Sequence, residues 1–259
     1  MDTSVNASRL QSLLVGDGRT FGYSNLDKKN CPLTFIVWVA WDKGRSSDSE
    51  FLSRFDRMWN VYVEVLEGTH LSTFLGLENP TRLQRRLPHW CAVAPWDSRS
   101  FTQMYRWLPG RVRKNRLANG LKLPALVSRR TLMTLDSRLG GASHAKQYLS
   151  LLKSISSDGF WTKQNDSDPF RVTKLSAGSH SRWMVSSGSH RAICAAVLGL
   201  HEISGEVARE VRREDVDSWP NVENGNFRAD QALALFDGLF DKRQLPLNHT
   251  LLERLRAVC

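Results

Sequence analysis

Apolar residues in the first third of the chain follow two different patterns. Over residues 49–68 they recur at steps of three and four, which predicts an amphipathic helix that ends at Gly68. Residues 33–41 instead form a continuous apolar run rich in β-branched and aromatic side chains, directly after Pro32. A short run of this composition is typical of a buried strand. The N-terminal part is therefore expected to contain one strand and one long helix.

The second half of the chain predicts five elements in close succession. Their order is helix, strand, strand, helix, strand, and the two adjacent strands flank a glycine turn, as in a hairpin. Two more amphipathic segments follow, at residues 229–240 and 251–258. The five elements are a helix at 143–156 with Ser143 as N-cap, strands at 170–175 and 182–186, a helix from Ser189 to Gly199, and a strand at 203–211.

Composition indicates a folded, cytoplasmic protein. The 259 residues are 41% apolar and 24% charged, with nine tryptophans, and they suffice for one large domain or two small ones. The longest apolar run is far too short for a membrane span, and the first residues lack the basic start and apolar stretch of a secretory signal. The four cysteines are widely separated, so we expect reduced thiols and neither a zinc site nor a disulfide framework.

Positive charge is concentrated in residues 98–135, which contain nine basic residues and no acidic one in a chain of net charge +10. Such a block suits nucleic-acid phosphates, an anionic membrane surface or an acidic substrate, and a merely solvated basic face is the alternative. The pairs Pro109-Gly110 and Asn119-Gly120 predict short elements separated by turns. The basic residues are Arg99, Arg106, Arg111, Arg113, Lys114, Arg116, Lys122, Arg129 and Arg130.

The segment from Arg182 to Leu200 combines an apolar strand, a glycine turn and a helix. Gly188 permits close approach of a ligand to the backbone, and a helix that starts near Ser189 directs free N–H groups and its positive dipole end at the turn. His190 and Arg191 add donors and charge beside them. This arrangement predicts an anion site, although a glycine-serine turn ahead of an alanine-rich helix also occurs in folds that bind nothing there.

Three motifs within residues 125–222 resemble the ParB/sulfiredoxin superfamily, which includes chromosome-partition proteins, sulfiredoxins and free-serine kinases. The first is the helix end Leu-x-x-Ser-Ile-x-x-x-Gly at 151–159. The second is the strand, Gly-x-His-Arg turn and helix at 183–200, and the third is the strand at 203–211. The resemblance implies an α+β fold with a mixed sheet and helices, here with a small N-terminal α/β extension (1–95), a ParB/sulfiredoxin-like nucleotide-binding domain (96–225) and a C-terminal helical tail (226–259).

In that superfamily the glycine turn and helix start hold nucleotide phosphates, so the resemblance assigns this role to Gly188, Ser189, His190 and Arg191. The sulfiredoxin nucleophile, a cysteine, is replaced by Ser189, which argues against sulfinic-acid repair. The kinase-like members carry an aspartate before the glycine, where this chain has Ser187.

The kinase-like members also carry a glutamate upstream, and the matching region here offers Asp136 and His144. Either could act as a catalytic base or a metal partner. Asp136 better suits Mg²⁺, whose ligands are hard oxygens, and neutral His144 better suits proton transfer, while purely structural roles are at least as compatible with each residue. Arg129, Arg130 and Arg138 are candidates to orient an anionic acceptor.

The resemblance and the local chemistry together predict a nucleotide-binding phosphotransferase that uses ATP or another nucleotide with Mg²⁺ and acts on a small-molecule or glycan acceptor. The segment 215–227 and the helix after it are similar to a tail of ParB-like proteins that are encoded near surface-polysaccharide genes. This similarity is the reason for including a glycan among the possible acceptors. Two alternatives remain open at this stage. One is a nucleic-acid-binding, nucleotide-switched protein or nuclease that uses basic residues 99–130, and the other is a non-catalytic scaffold.

Overall fold

The computed structural model describes residues 10–20, 24–41, 47–118, 128–160, 170–240 and 245–259. Expectations for the first nine residues and for the Asn119-Gly120 turn lie outside these ranges, as does Lys122. Within the described residues, none of the helices combines the length and the apolar composition needed to cross a bilayer.

A six-stranded mixed sheet organises the fold, in the spatial order β1-β6-β4-β5-β2-β3. The hairpin of β4 and β5 lies at its centre, flanked by parallel pairing of β4 with β6 and of β5 with β2, and antiparallel pairs form both edges. The protein is therefore α+β, as predicted. The strands are β1 (Leu10–Leu14), β2 (Gly18–Thr20), β3 (Ser24–Asn25), β4 (Arg171–Ala177), β5 (His180–Ser187) and β6 (Glu202–Arg212).

Ten α-helices are formed by the described residues and cover both faces of the sheet. Along β5, Trp183 and Val185 enter one hydrophobic core while Met184 between them enters the other, as expected when successive strand residues point to opposite faces. The helices are α1 (Pro32–Trp41), α2 (Asp48–Leu66), α3 (Leu71–Phe74), α4 (Arg82–Arg86), α5 (Phe101–Ala118), α6 (Arg129–Asp158), α7 (Ser189–Val197), α8 (Pro220–Glu223), α9 (Ala229–Phe240) and α10 (Pro246–Arg256).

Several sequence predictions are confirmed. Helix α2 occupies the predicted amphipathic segment and begins with a capping box between Ser47 and Glu50. The order helix, strand, strand, helix, strand is that of α6, β4, β5, α7 and β6. The domain boundaries at 95 and 225 remain a prediction, and residues of all three segments contribute to one core.

The predicted strand at 33–41 is wrong, because this segment is helix α1. A short apolar run is compatible with a buried helix as well as a strand, and periodicity cannot separate the two. Pro32 occupies the first position of the helix. Proline is tolerated there because the N–H group that it lacks has no partner within the first turn of a helix. Ile36, Val37 and Ala40 have no exposed surface, because α1 packs against α2, α7 and α10.

The basic block was expected to be a series of short elements, and most of it is one helix. Helix α5 continues through Pro109, which is buried on its inner side. A proline inside a helix removes one backbone hydrogen bond and costs about 3 kcal/mol or more, so tertiary contacts must offset it. Arg116 supplies one of these contacts by donating from Nε to Asp136 Oδ1 of α6 at 2.7 Å.

The predicted start of the next helix at Ser143 is also wrong. Helix α6 begins after Ser128, whose side chain accepts a hydrogen bond from the Thr131 N–H at 3.1 Å. Its end is as predicted, at Gly159, which has a φ of 81°. The helix passes through Gly140 and Gly141 because Trp59 of α2 packs closely there, and a Cβ on Gly141 would lie 2.6 Å from Trp59 Cδ1.

Gly18 at the start of β2, together with Gly16 in the 3-10 turn before it, provides a test of the fold. A Cβ on Gly18 would lie 2.4 Å from side-chain atoms of both Leu26 and Trp183, whereas a Cβ on Gly16 meets nothing within 4 Å. Gly18→Ala should lower the free energy of unfolding by about 1 to 3 kcal/mol, since overpacking displaces neighbouring side chains. Gly16→Ala serves as the matched control and should have little effect. Urea denaturation of both variants measures the difference, and equal stabilities would contradict the described packing of β2.

Candidate functional site

A cavity of about 440 Å³ lies among α2, α5, α6 and α7 and two connecting loops. Its volume is within the usual range for small-molecule sites. Its walls are mostly apolar and aromatic, and they include Trp59, Tyr62, Leu66, Trp90, Met104 and Leu108. Five residues singled out from the sequence line the same cavity, namely Arg130, Asp136, His144, Ser189 and His190.

The first turn of α7 opens into this cavity. Gly188 is the N-cap, and its φ of 84° is in the left-handed region that favours glycine. A Cβ on Gly188 would lie 2.9 Å from Phe170 and 3.1 Å from the Arg191 guanidinium, so the turn is closely packed. Ser189 and His190 line the cavity, while the Arg191 side chain folds back over Gly188. The N-cap glycine offers no side chain to the first-turn N–H groups.

His144 and His190 form the polar centre of the cavity. Nδ1 of His144 lies 3.1 Å from Nε2 of His190, and the rings stack with centroids 5.2 Å apart. Burial lowers the pKa of His190 to about 4, with His144 as a second cause, and burial likewise lowers the pKa of His144. Both rings are therefore neutral at pH 7, so one donates and the other accepts. The positive charge expected of His190 from the sequence is absent.

Aromatic rings fix the orientation of the two imidazoles. Trp59 packs on His144 with centroids 5.0 Å apart, and Tyr148 packs on His190 at 4.7 Å. The indole N–H of Trp59 donates to the Ser137 carbonyl oxygen at 2.8 Å, which ties α2 to α6 beside the site. His144 and Tyr148 are four residues apart on α6 and so share one face of the helix.

Asp136 lies at the cavity but is already engaged. Its Oδ1 accepts from Arg116 Nε at 2.7 Å, and its carbonyl oxygen accepts from Arg116 Nη2 at 3.0 Å. No group of three His, Cys, Asp or Glu side chains in the described residues could hold a metal ion. Asp136 is therefore the partner of Arg116 in this structure, and its proposed role as a magnesium ligand remains a prediction.

The three arginines proposed for an acceptor occupy different positions. Arg130 is exposed at the cavity wall, and no ion pair engages it among the described residues. Arg129 instead lies over the ring of Tyr105 at 5.2 Å. Arg138 pairs with Glu67 through Nη2 and Oε2 at 2.6 Å, which neutralises a carboxylate that lines the cavity. The structure thus brings Arg130 to the site and leaves Arg129 and Arg138 outside its lining.

His89 belongs to the site but was not identified from the sequence, whereas Arg116, noted in the sequence only as part of the basic block, contacts the site through Asp136. His89 lines the cavity from the loop before α5, and burial, with a smaller effect of Arg130, lowers its pKa to about 4. Neither residue lies in a motif, and Arg116 reaches Asp136 from 20 residues away in the sequence. The four-residue spacing of His144 and Tyr148 was visible, but the misplaced helix start put His144 in a first turn.

Comparisons with known proteins were made at three levels. No protein-family model, no curated protein and no solved structure matches this chain. The ParB/sulfiredoxin resemblance therefore remains a prediction based on the motifs alone.

The buried histidines predict a loss of stability in mild acid. An unfolded histidine has a pKa near 6.5, whereas that of folded His190 is about 4. The unfolded chain therefore binds the proton first as the pH falls, and stability decreases between about pH 6.5 and pH 4. His190→Gln removes this contribution, so the wild type should lose more stability than the variant over that interval, with slopes that differ by up to about 1.4 kcal/mol per pH unit. Denaturation at a series of pH values tests this, and parallel curves would contradict burial of the neutral ring.

Proposed function

We propose that the cavity binds a nucleotide and transfers its terminal phosphoryl group to an alcohol acceptor held in the same space. One observation carries the proposal: the first turn of α7 opens into a 440 Å³ cavity directly beside a hydrogen-bonded pair of neutral histidines. An anion-binding helix end and a proton acceptor thereby share one small-molecule site.

Phosphate binding rests on backbone and side-chain donors of different kinds. The first turn of α7 directs backbone N–H groups and a partial positive charge toward the cavity, an arrangement that favours anions. The Ser189 hydroxyl adds a donor, and exposed Arg130 adds a full positive charge. Phosphoryl transfer depends mainly on such positioning and electrostatic stabilisation.

The histidine pair supplies the proton acceptor. In the arrangement we propose, Nδ1–H of His144 donates to Nε2 of His190, which leaves a lone pair on Nε2 of His144. The neighbouring helical residue is Gly140, where a Cβ would lie 3.5 Å from that nitrogen, so a larger side chain would crowd it. The acceptor oxygen forms a bond to the terminal phosphorus as the bond to the bridging oxygen breaks. The hydroxyl proton moves to His144, and the nucleoside diphosphate leaves with the bridging oxygen.

The fold supports the more specific part of the proposal. The elements α6, β4, β5, α7 and β6 follow the order that the ParB/sulfiredoxin resemblance implies, and Gly188, which the resemblance matches to the superfamily's phosphate-binding turn, is the N-cap of α7. The mostly apolar walls leave room for a base or an acceptor beyond the polar centre. Magnesium, if it accompanies the nucleotide, would be held by the phosphates, since Asp136 is bonded to Arg116.

Nucleotide binding is the first test. Calorimetric titration of ATP, ADP and CTP with Mg²⁺ should detect binding to the wild type. Arg130→Ala combined with His190→Ala should weaken it at least about tenfold, because a charged and a neutral contact to phosphate are lost. The matched control combines Arg82→Ala with His180→Ala, which removes the same residue types from exposed positions elsewhere. Absence of binding to the wild type, or equal loss in both variants, would overturn the proposal.

Turnover tests the chemical step separately from binding. His144→Gln keeps a hydrogen-bonding group but removes the basic nitrogen, and it should lower kcat by about a hundredfold or more while nucleotide affinity changes little. Release of nucleoside diphosphate in the presence of a panel of alcohol acceptors is the readout. An unchanged rate in this variant would exclude His144 as the base. Binding without any turnover in the wild type would leave a nucleotide-binding protein and contradict the transfer step.

A further inference from the structure

A cluster of unpaired positive charge covers the outer side of α5 and the start of α6, and we call this surface the α5 face. No acidic residue occurs anywhere in residues 98–135. Within the described part of the chain, no ion pair engages the six basic residues of this face. They are Arg99, Arg106, Arg111, Lys114, Arg129 and Arg130, all of them exposed.

Among the described residues, the two carboxylates nearest this face in the sequence do not neutralise it, because other arginines already hold them. Asp97, which lies just before it in the chain, pairs with Arg209 at 2.5 Å. Asp136 pairs with Arg116, the inward-facing arginine of α5, at 2.7 Å. The charge of the α5 face is therefore available to an external anion.

Aromatic rings and guanidinium groups alternate on the same surface. Trp107 is 36% exposed, with the guanidinium of Arg99 at 4.1 Å and that of Arg111 at 5.1 Å from its ring. Guanidinium and aromatic planes are the groups on which bases of single-stranded nucleic acids stack, and the positive charges contact the phosphates between them.

We propose that the α5 face binds single-stranded nucleic acid through its phosphates, with stacking at Trp107. A membrane surface fits less well, because an interfacial helix inserts its apolar side into the lipid. In α5 that side is turned inward, where Phe101 is fully buried and Met104 and Leu108 line the cavity. Trp107 and Leu117 are its exposed large apolar side chains.

This inference does not depend on phosphoryl transfer. The α5 face and the cavity share Arg130, so a strand bound along α5 would reach the cavity mouth. The variants below leave Arg130 and both histidines of the cavity unchanged, so nucleotide binding serves as an independent readout of an intact site.

The experiment measures binding of fluorescein-labelled oligo(dT) and oligo(U) of about 20 nucleotides, longer than a typical single-strand site. Six phosphate contacts on a single strand predict a slope of about −4 in log K against log salt, so affinity should fall about 300-fold between 50 and 200 mM salt. Arg106→Ala, Arg111→Ala and Lys114→Ala together should halve the slope, which leaves about a 20-fold dependence. The matched control removes three charges elsewhere, through Arg57→Ala, Lys146→Ala and Arg254→Ala.

A second variant tests stacking, since Trp107→Leu retains every positive charge. It should weaken single-strand binding about tenfold while leaving the salt slope unchanged. Equal slopes in the triple variant and its control would overturn the proposal. So would tighter binding to a duplex of the same length, or retention on phosphatidylserine vesicles without affinity for the oligonucleotides. Thermal melts and nucleotide titrations of each variant confirm that the fold and the cavity are intact.

Discussion

Close packing of Trp59 against Gly141 determines where the candidate site forms. The indole lies where any larger residue in α6 would collide with it, and its N–H is bonded to the Ser137 carbonyl oxygen. This contact holds α2 and α6 together beside His144, which lies within α6. Because the same indole packs on the His144 ring, the wall of the cavity and the orientation of the imidazole depend on a single helix-helix contact.

Burial gives the site its electrostatic character. His144 and His190 hydrogen-bond to each other, and burial lowers the pKa of both, while the negative charge of Asp136 opposes that shift at His144. The interior is thus neutral and able to accept a proton, while the positive contributions come from the α7 helix end and from exposed Arg130. This division suits a reaction in which an anionic group is held at the mouth and an uncharged hydroxyl is deprotonated within.

Helix α5 connects this cavity with the basic surface outside it. Its inner side supplies Met104 and Leu108 to the cavity and joins α6 through Arg116 and Asp136. Its outer side carries the unpaired arginines around Trp107. One helix can serve both environments because successive residues are about 100° apart around its axis. Residues at steps of three and four therefore share a face, and an apolar stripe and a charged stripe coexist along its length.

Local pattern predicted the β4-β5 hairpin, the glycine turn at 188 and the amphipathic helices α2 and α9, and the resemblance of three local motifs implied the α+β class. In each case adjacent residues carry the information, either as periodicity or as the φ that only glycine adopts readily. Tertiary structure decided that residues 33–41 are helical, that α5 continues through Pro109 and that α6 passes Gly141, because in each case packing against a distant segment overrides local propensity. It also brought His144 to His190, which are 46 residues apart, and no local pattern specifies a contact over such a separation.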